Sequence, residues 1–208
     1  MPLFTKNGKT ILFIHIPKTG GTSVMYFLIE NAFSVNWFVS SYDIINREPS
    51  PQHRHREKII EFLNKESVEF DYNFTIVRNP IDKLISEYFQ QCRNKEKLHK
   101  KITRKDFCYW VDKVFKLHKE NPIYFDNHIR PQTEFLLEDT IIFKYENNYK
   151  DLFDFLKDIG RKHHFNIDFK KFPHKTKGYN KKPIEIPKQT LRKIFQFYKT
   201  DFDKFYPL

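Results

Sequence analysis

Three short apolar runs recur along the chain, and each precedes a segment whose apolar residues have helical spacing. The runs Ile11–Ile16, Phe74–Val77 and Thr140–Tyr145 have the length and composition of buried β-strands. Helical segments are predicted at residues 22–33, 54–64, 80–89, 107–117, 149–159 and 188–205. Strands that alternate with helices predict an α/β fold with a central, mostly parallel sheet flanked by helices.

Local signals mark several helix ends. Thr22 or Ser23 is predicted to cap the first helix, and Pro80 is suited to the first turn of the third. Gly160 is predicted to end the fifth helix. Residues 36–52 and 163–187 lack a regular apolar pattern, so we expect both segments to be mostly loop.

The composition is that of a folded domain. With 208 residues the chain has the length of one domain, which we expect to span residues 1–208. Its 23 Phe and 11 Tyr supply bulky core material, so a disordered chain is not expected. Cys92 and Cys108 give neither a metal-ligand spacing nor a disulfide framework, which favours a reducing compartment.

The formal net charge of +11 predicts an affinity for anions without selecting among nucleotides, polysaccharides and membranes. No zinc finger or RNA-binding aromatic signature is present, so no nucleic-acid partner is predicted. No apolar run is long enough to cross a bilayer, and no signal peptide is recognised. A complete chain is therefore expected in the cytoplasm, although a chain trimmed of a membrane anchor would have the same sequence. Nothing in the sequence indicates the oligomeric state.

The strongest chemical signal is the segment His15–Ser23, HIPKTGGTS, between the first strand and the first helix. Backbone N–H groups at a helix N-terminus bind anions, and adjacent glycines let the backbone approach a phosphate. The anion-binding groups would come from Lys18, Gly20, Gly21, Thr22 and Ser23. The segment predicts a phosphate site, and the simpler alternative is an ordinary strand-to-helix turn.

This loop differs from a Walker A loop, in which the lysine follows the last glycine. Here Lys18 precedes both glycines. The second strand ends at Arg78, where an aspartate that holds magnesium would be expected. Both differences disfavour an ordinary ATPase or GTPase.

Two segments resemble the nucleotide site of sulfotransferases. His15–Ser23 is similar to the 5′-phosphosulfate loop in the form used by carbohydrate sulfotransferases, and Phe74–Tyr88 resembles the family's 3′-phosphate segment. In that segment an arginine ends a strand and a serine lies eight residues later, as Arg78 and Ser86 do here. Arg78 offers a planar fork for a phosphate, and Ser86 offers a hydroxyl. The resemblance implies a P-loop-like three-layer fold.

Weaker resemblances extend over most of the chain, and only the first two segments are specific. The segment Asp126–Gln132 is similar to a His-x-Arg-Pro-Gln stretch in some carbohydrate sulfotransferases, and Pro173–Tyr179 resembles a late basic loop that closes over the nucleotide. By this resemblance the acceptor would contact His128, Arg130 and Gln132. The nucleotide would be held by Lys18, Thr19, Gly20, Gly21, Thr22, Ser23, Arg78 and Ser86 and covered by Lys175 and Thr176.

The family implies a donor, 3′-phosphoadenosine 5′-phosphosulfate (PAPS), and an acceptor hydroxyl or amine. Lys18 would stabilise the leaving phosphate, and no metal is required. A hydroxyl acceptor needs a general base, for which glycosaminoglycan sulfotransferases of this type carry a histidine between the two nucleotide segments. His53 and His55 are both candidates, and the alternative is a solvated basic turn that opens a helix. His15 is expected to be packed rather than catalytic.

The hypothesis from the sequence is transfer of a sulfuryl group from PAPS to a carbohydrate hydroxyl. The acceptor class rests on the resemblance, and lipid-linked sugars, small alcohols and protein tyrosines stay open. A P-loop-type nucleotide phosphotransferase is a rival that would require magnesium. A non-catalytic binder of anionic polysaccharide is a second rival, which would explain the charge but not the ordered pair of phosphate segments.

Overall fold

The computed structural model describes residues 1–37, 48–94, 104–173 and 184–207. Within these ranges one five-stranded sheet is formed by β1 Leu3–Lys6, β2 Lys9–Ile14, β3 Ser34–Asn36, β4 Tyr72–Val77 and β5 Ile141–Lys144. The strands lie in the order β3-β1-β2-β4-β5. β4 is parallel to both β2 and β5, whereas β1 is antiparallel to both β2 and β3. The predicted α/β class is confirmed.

The helices within the described ranges are α1 Gly21–Glu30, α2 Arg56–Lys65, α3 Pro80–Asn94, α4 Arg104–Glu120, α5 Lys150–Lys162, α6 Lys188–Phe197 and α7 Lys199–Phe205. Pro80 opens α3 as predicted. Two other predicted ends are wrong. Gly20 precedes α1 in the left-handed conformation, so neither Thr22 nor Ser23 caps that helix. Gly160 lies inside α5, where an added Cβ would come 2.8 Å from the carbonyl oxygen of Phe165.

The sequence pattern did not predict β1 and β3, the two strands at the antiparallel side of the sheet. β1 and β2 form a hairpin around Asn7 and Gly8, both with positive φ, and Lys6 pairs with Lys9. An Asn-Gly pair between two strands is a strong hairpin signal, because both positions of a type I′ turn require positive φ. The sequence therefore carried this information, although the four-residue strand before it was too short to stand out.

Core side chains cover both faces of the sheet, which gives the three-layer arrangement. Phe13 of β2 packs in one apolar cluster with residues of α1 and α5, whereas its neighbours Leu12 and Ile14 pack in another with Ile59 of α2. A third cluster joins α3, α4, α6 and α7 around the fully buried Tyr198. Alternate residues of one strand thus serve opposite layers, as the two-residue period of a strand requires.

The sheet places the two predicted phosphate segments side by side. Ile14 of β2 pairs with Thr75 of the parallel β4, and the Thr75 hydroxyl donates a hydrogen bond to the Ile14 carbonyl oxygen at 2.7 Å. Both strands end at the same edge, so the loop after β2 lies next to Arg78. In open α/β sheets this carboxyl edge of parallel strands is where ligands bind.

Candidate active site

The loop after β2 folds back on itself before α1 begins. Lys18 and Gly20 have φ values of 69° and 87°. The buried Thr19 hydroxyl donates to the Ile16 carbonyl oxygen at 2.9 Å, and the Ser23 amide donates to the Gly20 carbonyl oxygen at 3.2 Å. The first turn of α1 therefore begins directly after the loop, which is the position that an anion site at a helix N-terminus requires.

The two glycines are needed for contacts behind the loop as well as for any approach of a phosphate. A Cβ at Gly20 would lie 2.8 Å from the Tyr145 ring and would also collide with the Tyr149 hydroxyl. A Cβ at Gly21 would lie 2.7 Å from His15 Nε2. The loop therefore rests on Tyr145, Tyr149 and His15, and a side chain at either glycine would displace it.

Arg78 brings the second phosphate segment to this loop. Its Nη1 donates to the Lys18 carbonyl oxygen at 3.3 Å, and its guanidinium carbon lies 4.5 Å from the centre of the Tyr145 ring. Its Nε is buried and has no hydrogen-bond partner among the described residues. Buried polar groups are normally paired, so this N–H is suited to an anionic ligand held between the two segments.

The Lys18 ammonium reaches α3, the helix that follows Arg78. It donates a hydrogen bond to Gln90 Oε1. The half-buried Ser86 lies four residues before Gln90, hence on the same side of α3. Lys18 therefore contacts Arg78 through its carbonyl oxygen and, through its ammonium, the side of α3 that carries Ser86. That Ser86 binds the nucleotide stays a prediction.

The remaining predicted nucleotide contacts differ in exposure. Thr22 is exposed and Ser23 is half-buried in the first turn of α1, and Thr19 is fully buried. Because the Thr19 hydroxyl donates to the Ile16 carbonyl oxygen, we assign Thr19 a role in stabilising the conformation of the loop. Lys175 and Thr176 lie outside the described residues.

Gln132 holds the main chain of Arg78. Its Oε1 accepts from the Arg78 amide at 2.9 Å, and its Nε2 donates to the Arg78 carbonyl oxygen at 2.8 Å. The Gln132 side chain is fully buried. This placement differs from the expectation that Gln132 contacts the acceptor, because both ends of its amide are used to position the arginine.

Three histidines form a row that starts at the phosphate loop. The ring centres of His15 and His53 are 5.1 Å apart, and those of His53 and His128 are 5.0 Å apart. The His15 ring stacks on Phe13 and lies against Gly21. Its Nδ1 is buried and has no hydrogen-bond partner within the described part of the chain. As expected, His15 is packed, and it connects the loop to His53.

His53 is buried and paired with a carboxylate. Its Nδ1 lies 2.7 Å from Asp126 Oδ2. Burial lowers the pKa of His53 to about 4, with His128 acting in the same direction and Asp126 opposing. Burial works to raise the pKa of Asp126, but its bonds to His53 and Ser50 lower it overall. Near neutral pH the pair is therefore a neutral imidazole beside a carboxylate.

His55 has different partners. Its Nδ1 lies 3.3 Å from Asn127 Nδ2, and its Nε2 lies 3.5 Å from a Glu57 oxygen. Asn127 Oδ1 accepts from the Arg130 Nε, so Nδ2 is the Asn127 atom that faces His55. Burial lowers the pKa of His55 to about 4, and Arg130 contributes.

His128 and Arg130 belong to the same chain segment as these partners. His128 Nδ1 lies 2.6 Å from Oε2 of the buried Glu87. Arg130 donates to Asn127 and, at 2.5 Å, to Glu134. Arg130 is 7% exposed, so it stabilises its own turn, whereas His128 also presents its ring to His53.

The turn that carries Asp126 is strained. Phe125, Asp126 and Asn127 have φ values of 54°, 53° and 62°, three successive left-handed residues without a glycine. Such conformations cost on the order of 1 to 3 kcal/mol each and cluster at functional sites. The buried Lys83 helps to hold this region, donating to the carbonyl oxygens of His128 and Arg130 at 2.7 and 3.3 Å.

One set of side chains offers ligand atoms for a cation. Ligand atoms of His53, Asp126 and His128 lie within 4.8 Å of one another in the described part of the chain. His53 and Asp126 are already joined by a hydrogen bond, and His128 is joined to Glu87. We therefore interpret the set as two imidazole–carboxylate pairs, and the sequence-based prediction of metal-free transfer stays a prediction.

The parallel strands β2 and β4 bring the glycine loop and Arg78 together at the carboxyl edge of an α/β sheet, which is where proteins of this fold class bind ligands. The sequence profile of the sulfotransferase family matches residues 1–207. The chain therefore belongs to the sulfotransferase family, whose activity is sulfuryl transfer. Searches of curated proteins and of solved structures gave no match. None of the helices in the described ranges has the length and apolar character to span a membrane.

Proposed function

We propose that the chain transfers the sulfuryl group of PAPS to a hydroxyl of a carbohydrate, without a metal ion. The observation that carries the donor assignment is the contact of Arg78 Nη1 with the Lys18 carbonyl oxygen. It places an arginine with a buried, unpartnered Nε beside a loop suited to the other end of the same nucleotide.

The donor is gripped at both ends. Lys18 and the backbone of Gly20 to Ser23 hold the 5′-phosphosulfate, and Arg78 and Ser86 hold the 3′-phosphate. By the family resemblance Lys175 and Thr176, which lie outside the described residues, would close over the nucleotide. A nucleotide without a 3′-phosphate would leave the guanidinium of Arg78 without its ligand, which gives preference for PAPS over ATP or GTP.

We assign the general base to His53 rather than His55. Asn127 Nδ2 can only donate, so His55 Nδ1 accepts from it and the His55 proton resides on Nε2, toward Glu57. The His55 nitrogen that carries the lone pair is thus already engaged with Asn127. His53 lies one imidazole ring from the phosphate loop, because His15 contacts both.

The reaction is an in-line displacement at sulfur. The acceptor oxygen forms a bond to sulfur while the bond from sulfur to the bridging phosphate oxygen breaks. His53 Nε2 takes the hydroxyl proton, and the Lys18 ammonium stabilises the negative charge that the 5′-phosphate gains. Positioning and charge stabilisation carry most of such a transfer.

The carbohydrate acceptor rests on the form of the His15–Ser23 loop and on the net charge of +11, which suits an acidic glycan. Of the three residues expected to contact it, we keep His128. Arg130 and Gln132 are assigned a supporting role instead. Arg130 donates to Asn127 and Glu134, and Gln132 binds the main chain of Arg78.

The test is calorimetric binding of adenosine 3′,5′-bisphosphate, followed by transfer of labelled sulfate from PAPS to a panel of glycans. Lys18→Ala is expected to bind the product but to lose transfer, and Arg78→Ala is expected to lose binding. Absence of binding by the wild-type chain would refute the donor assignment. Magnesium-dependent ATP turnover would favour a phosphotransferase, and salt-sensitive glycan binding without turnover would favour a simple binder.

A further inference from the structure

Asp126 is surrounded by three donors that fix its carboxylate. The Ser50 amide donates to Oδ1 at 2.6 Å, and the Ser50 hydroxyl donates to Oδ2 at 2.7 Å. His53 Nδ1 lies 2.7 Å from the same Oδ2. A carboxylate in this state only accepts, so the His53 proton must reside on Nδ1.

The next residue fixes the main chain of the same histidine. Asn127 Nδ2 donates to the His53 carbonyl oxygen at 2.8 Å, and Asn127 is fully buried. Two successive residues of the left-handed turn therefore hold the ring and the backbone of His53. The strained conformation of residues 125–127 therefore has a structural role, because it directs the side chains of Asp126 and Asn127 toward His53.

We propose that Asp126 is the positioning residue of the reaction, which keeps the proton of His53 on Nδ1 and leaves Nε2 free to receive the acceptor proton. This inference rests on the proposed role of His53 as the base. Nothing in the resemblance assigns a role to Asp126. The known logic of Ser-His-Asp sites, in which a carboxylate selects the productive tautomer, applies to this pair.

Ser50 makes an unusual prediction possible. In Asp126→Asn the Ser50 amide still requires an acceptor, so the Asn oxygen takes the place of Oδ1. The amide nitrogen must then take the place of Oδ2 and donate to His53 Nδ1. That bond moves the His53 proton to Nε2, where it blocks the acceptor. Asp126→Ala removes the partner without imposing the wrong tautomer.

The proposal therefore predicts that the near-isosteric variant is the worse one. For Asp126→Asn we expect kcat to fall about 10³- to 10⁴-fold, as for wrong-tautomer variants of catalytic triads. For Asp126→Ala we expect a loss of about 10²-fold from a less well-placed ring. KM for PAPS should stay unchanged in both, because Asp126 is not among the residues proposed to hold the nucleotide. A purely structural role predicts the opposite order, since Asn keeps the shape and the Ser50 contact.

The tautomer itself is read by nitrogen-15 NMR of the imidazole, which needs no substrate. Wild-type His53 should show a protonated Nδ1 and an unprotonated Nε2, and Asp126→Asn should show the reverse. Asp71→Asn is the matched control. Asp71 also accepts from a backbone amide, that of Thr10 at 2.8 Å, and it precedes β4, at the end of that strand opposite to Arg78. This control should retain activity and the wild-type His53 spectrum.

Several results would overturn the proposal. A protonated Nε2 in wild-type His53 would do so, as would an Asn variant more active than the Ala variant. Loss of activity on chelation and recovery with zinc would also refute it, because Asp126 would then be a metal ligand. If Asp126→Ala fails to fold, the spectra of the wild type and the Asn variant still decide. A correct tautomer in a chain without sulfuryl transfer would sustain the Asp126–His53 geometry and refute the proposed function instead.

Discussion

The Arg78 guanidinium donates from Nη1 to the main-chain oxygen of Lys18 at 3.3 Å, and this bond joins the segments that follow β2 and β4 through two residues 60 positions apart in the sequence. The bond ties the group that would bind one phosphate to the carbonyl of the residue that would stabilise the other. The parallel pairing of β2 and β4 thereby sets the distance between the two ends of the proposed nucleotide site.

Arg78→Lys should weaken binding of adenosine 3′,5′-bisphosphate about 10- to 100-fold, which corresponds to loss of a charge-assisted hydrogen bond of 1.5 to 3 kcal/mol. Lysine keeps the charge but loses the fork and the contact with Tyr145. Affinity for adenosine 5′-phosphate should change little, and calorimetry with both ligands measures the difference. The control is Arg161→Lys, an exposed residue paired with Asp158. Equal losses for both ligands would contradict a 3′-phosphate role.

Gly20→Ala should abolish nucleotide binding and lower the melting temperature. The new Cβ would require left-handed backbone at φ 87° and would collide with Tyr149 and Tyr145. Gly8→Ala is a matched control, because Gly8 has φ 72° and open space around the added Cβ. Both variants bear a backbone cost of about 1 to 2 kcal/mol, but only the first should lose the ligand. Retained binding in Gly20→Ala would show that the loop tolerates displacement.

The acid limb of kcat/KM should report His53. The groups around its ring are His15, His128, Asp126 and the Met1 ammonium, and burial is the largest cause that lowers its pKa to about 4. Protonated His53 cannot accept a proton, so activity should hold from neutral pH to about pH 5 and fall near pH 4. An unperturbed histidine would lose activity near pH 6.5.

His55 provides the comparison for this profile. Its pKa is also lowered to about 4, so the profile alone does not separate the two residues. His53→Gln should remove activity at every pH, whereas His55→Gln should retain most of kcat and the same acid limb. A reversed result would transfer the role of base to His55.

Stability should decrease on acidification because of a histidine outside the site. The pKa of His118 is lowered to about 4 by burial, with Arg130 and Lys83 acting in the same direction. The unfolded chain, with a pKa near 6.5, binds the proton more tightly, so stability falls as the pH drops from about 6.5 to about 4. Each pKa unit corresponds to about 1.4 kcal/mol. His118→Leu should flatten the dependence of the unfolding free energy on pH, measured by urea denaturation, and an unchanged slope would contradict this account.

The glycine loop after β2 and the position of Arg78 at the end of β4 could be predicted from sequence because each is a local pattern. A buried strand, a glycine loop and a helix follow one another within 20 residues, and Arg78 directly follows the next buried strand. The parallel pairing of two such strands then brings the segments together without further information.

The partners of His53 could not be predicted in this way. Asp126 lies 73 residues away and meets His53 only because of three successive left-handed residues, a conformation that is uncommon outside glycine and that no periodic pattern of the sequence marks. Gln132 was identified by resemblance but with a different role, because its contact with the Arg78 backbone depends on a register that no sequence pattern encodes. Resemblance identified the segment, and the structure was needed to assign its side chains.

The last helix of the chain takes part in this support. The fully buried Asp201 of α7 accepts from the amides of Gln132 and Thr133 at 2.8 and 2.9 Å, and Gln132 in turn clasps Arg78. Trimming the C-terminus to obtain a smaller catalytic fragment would therefore be a poor engineering choice. Such a fragment would keep every group proposed to touch the donor and still lose the means of recognising it.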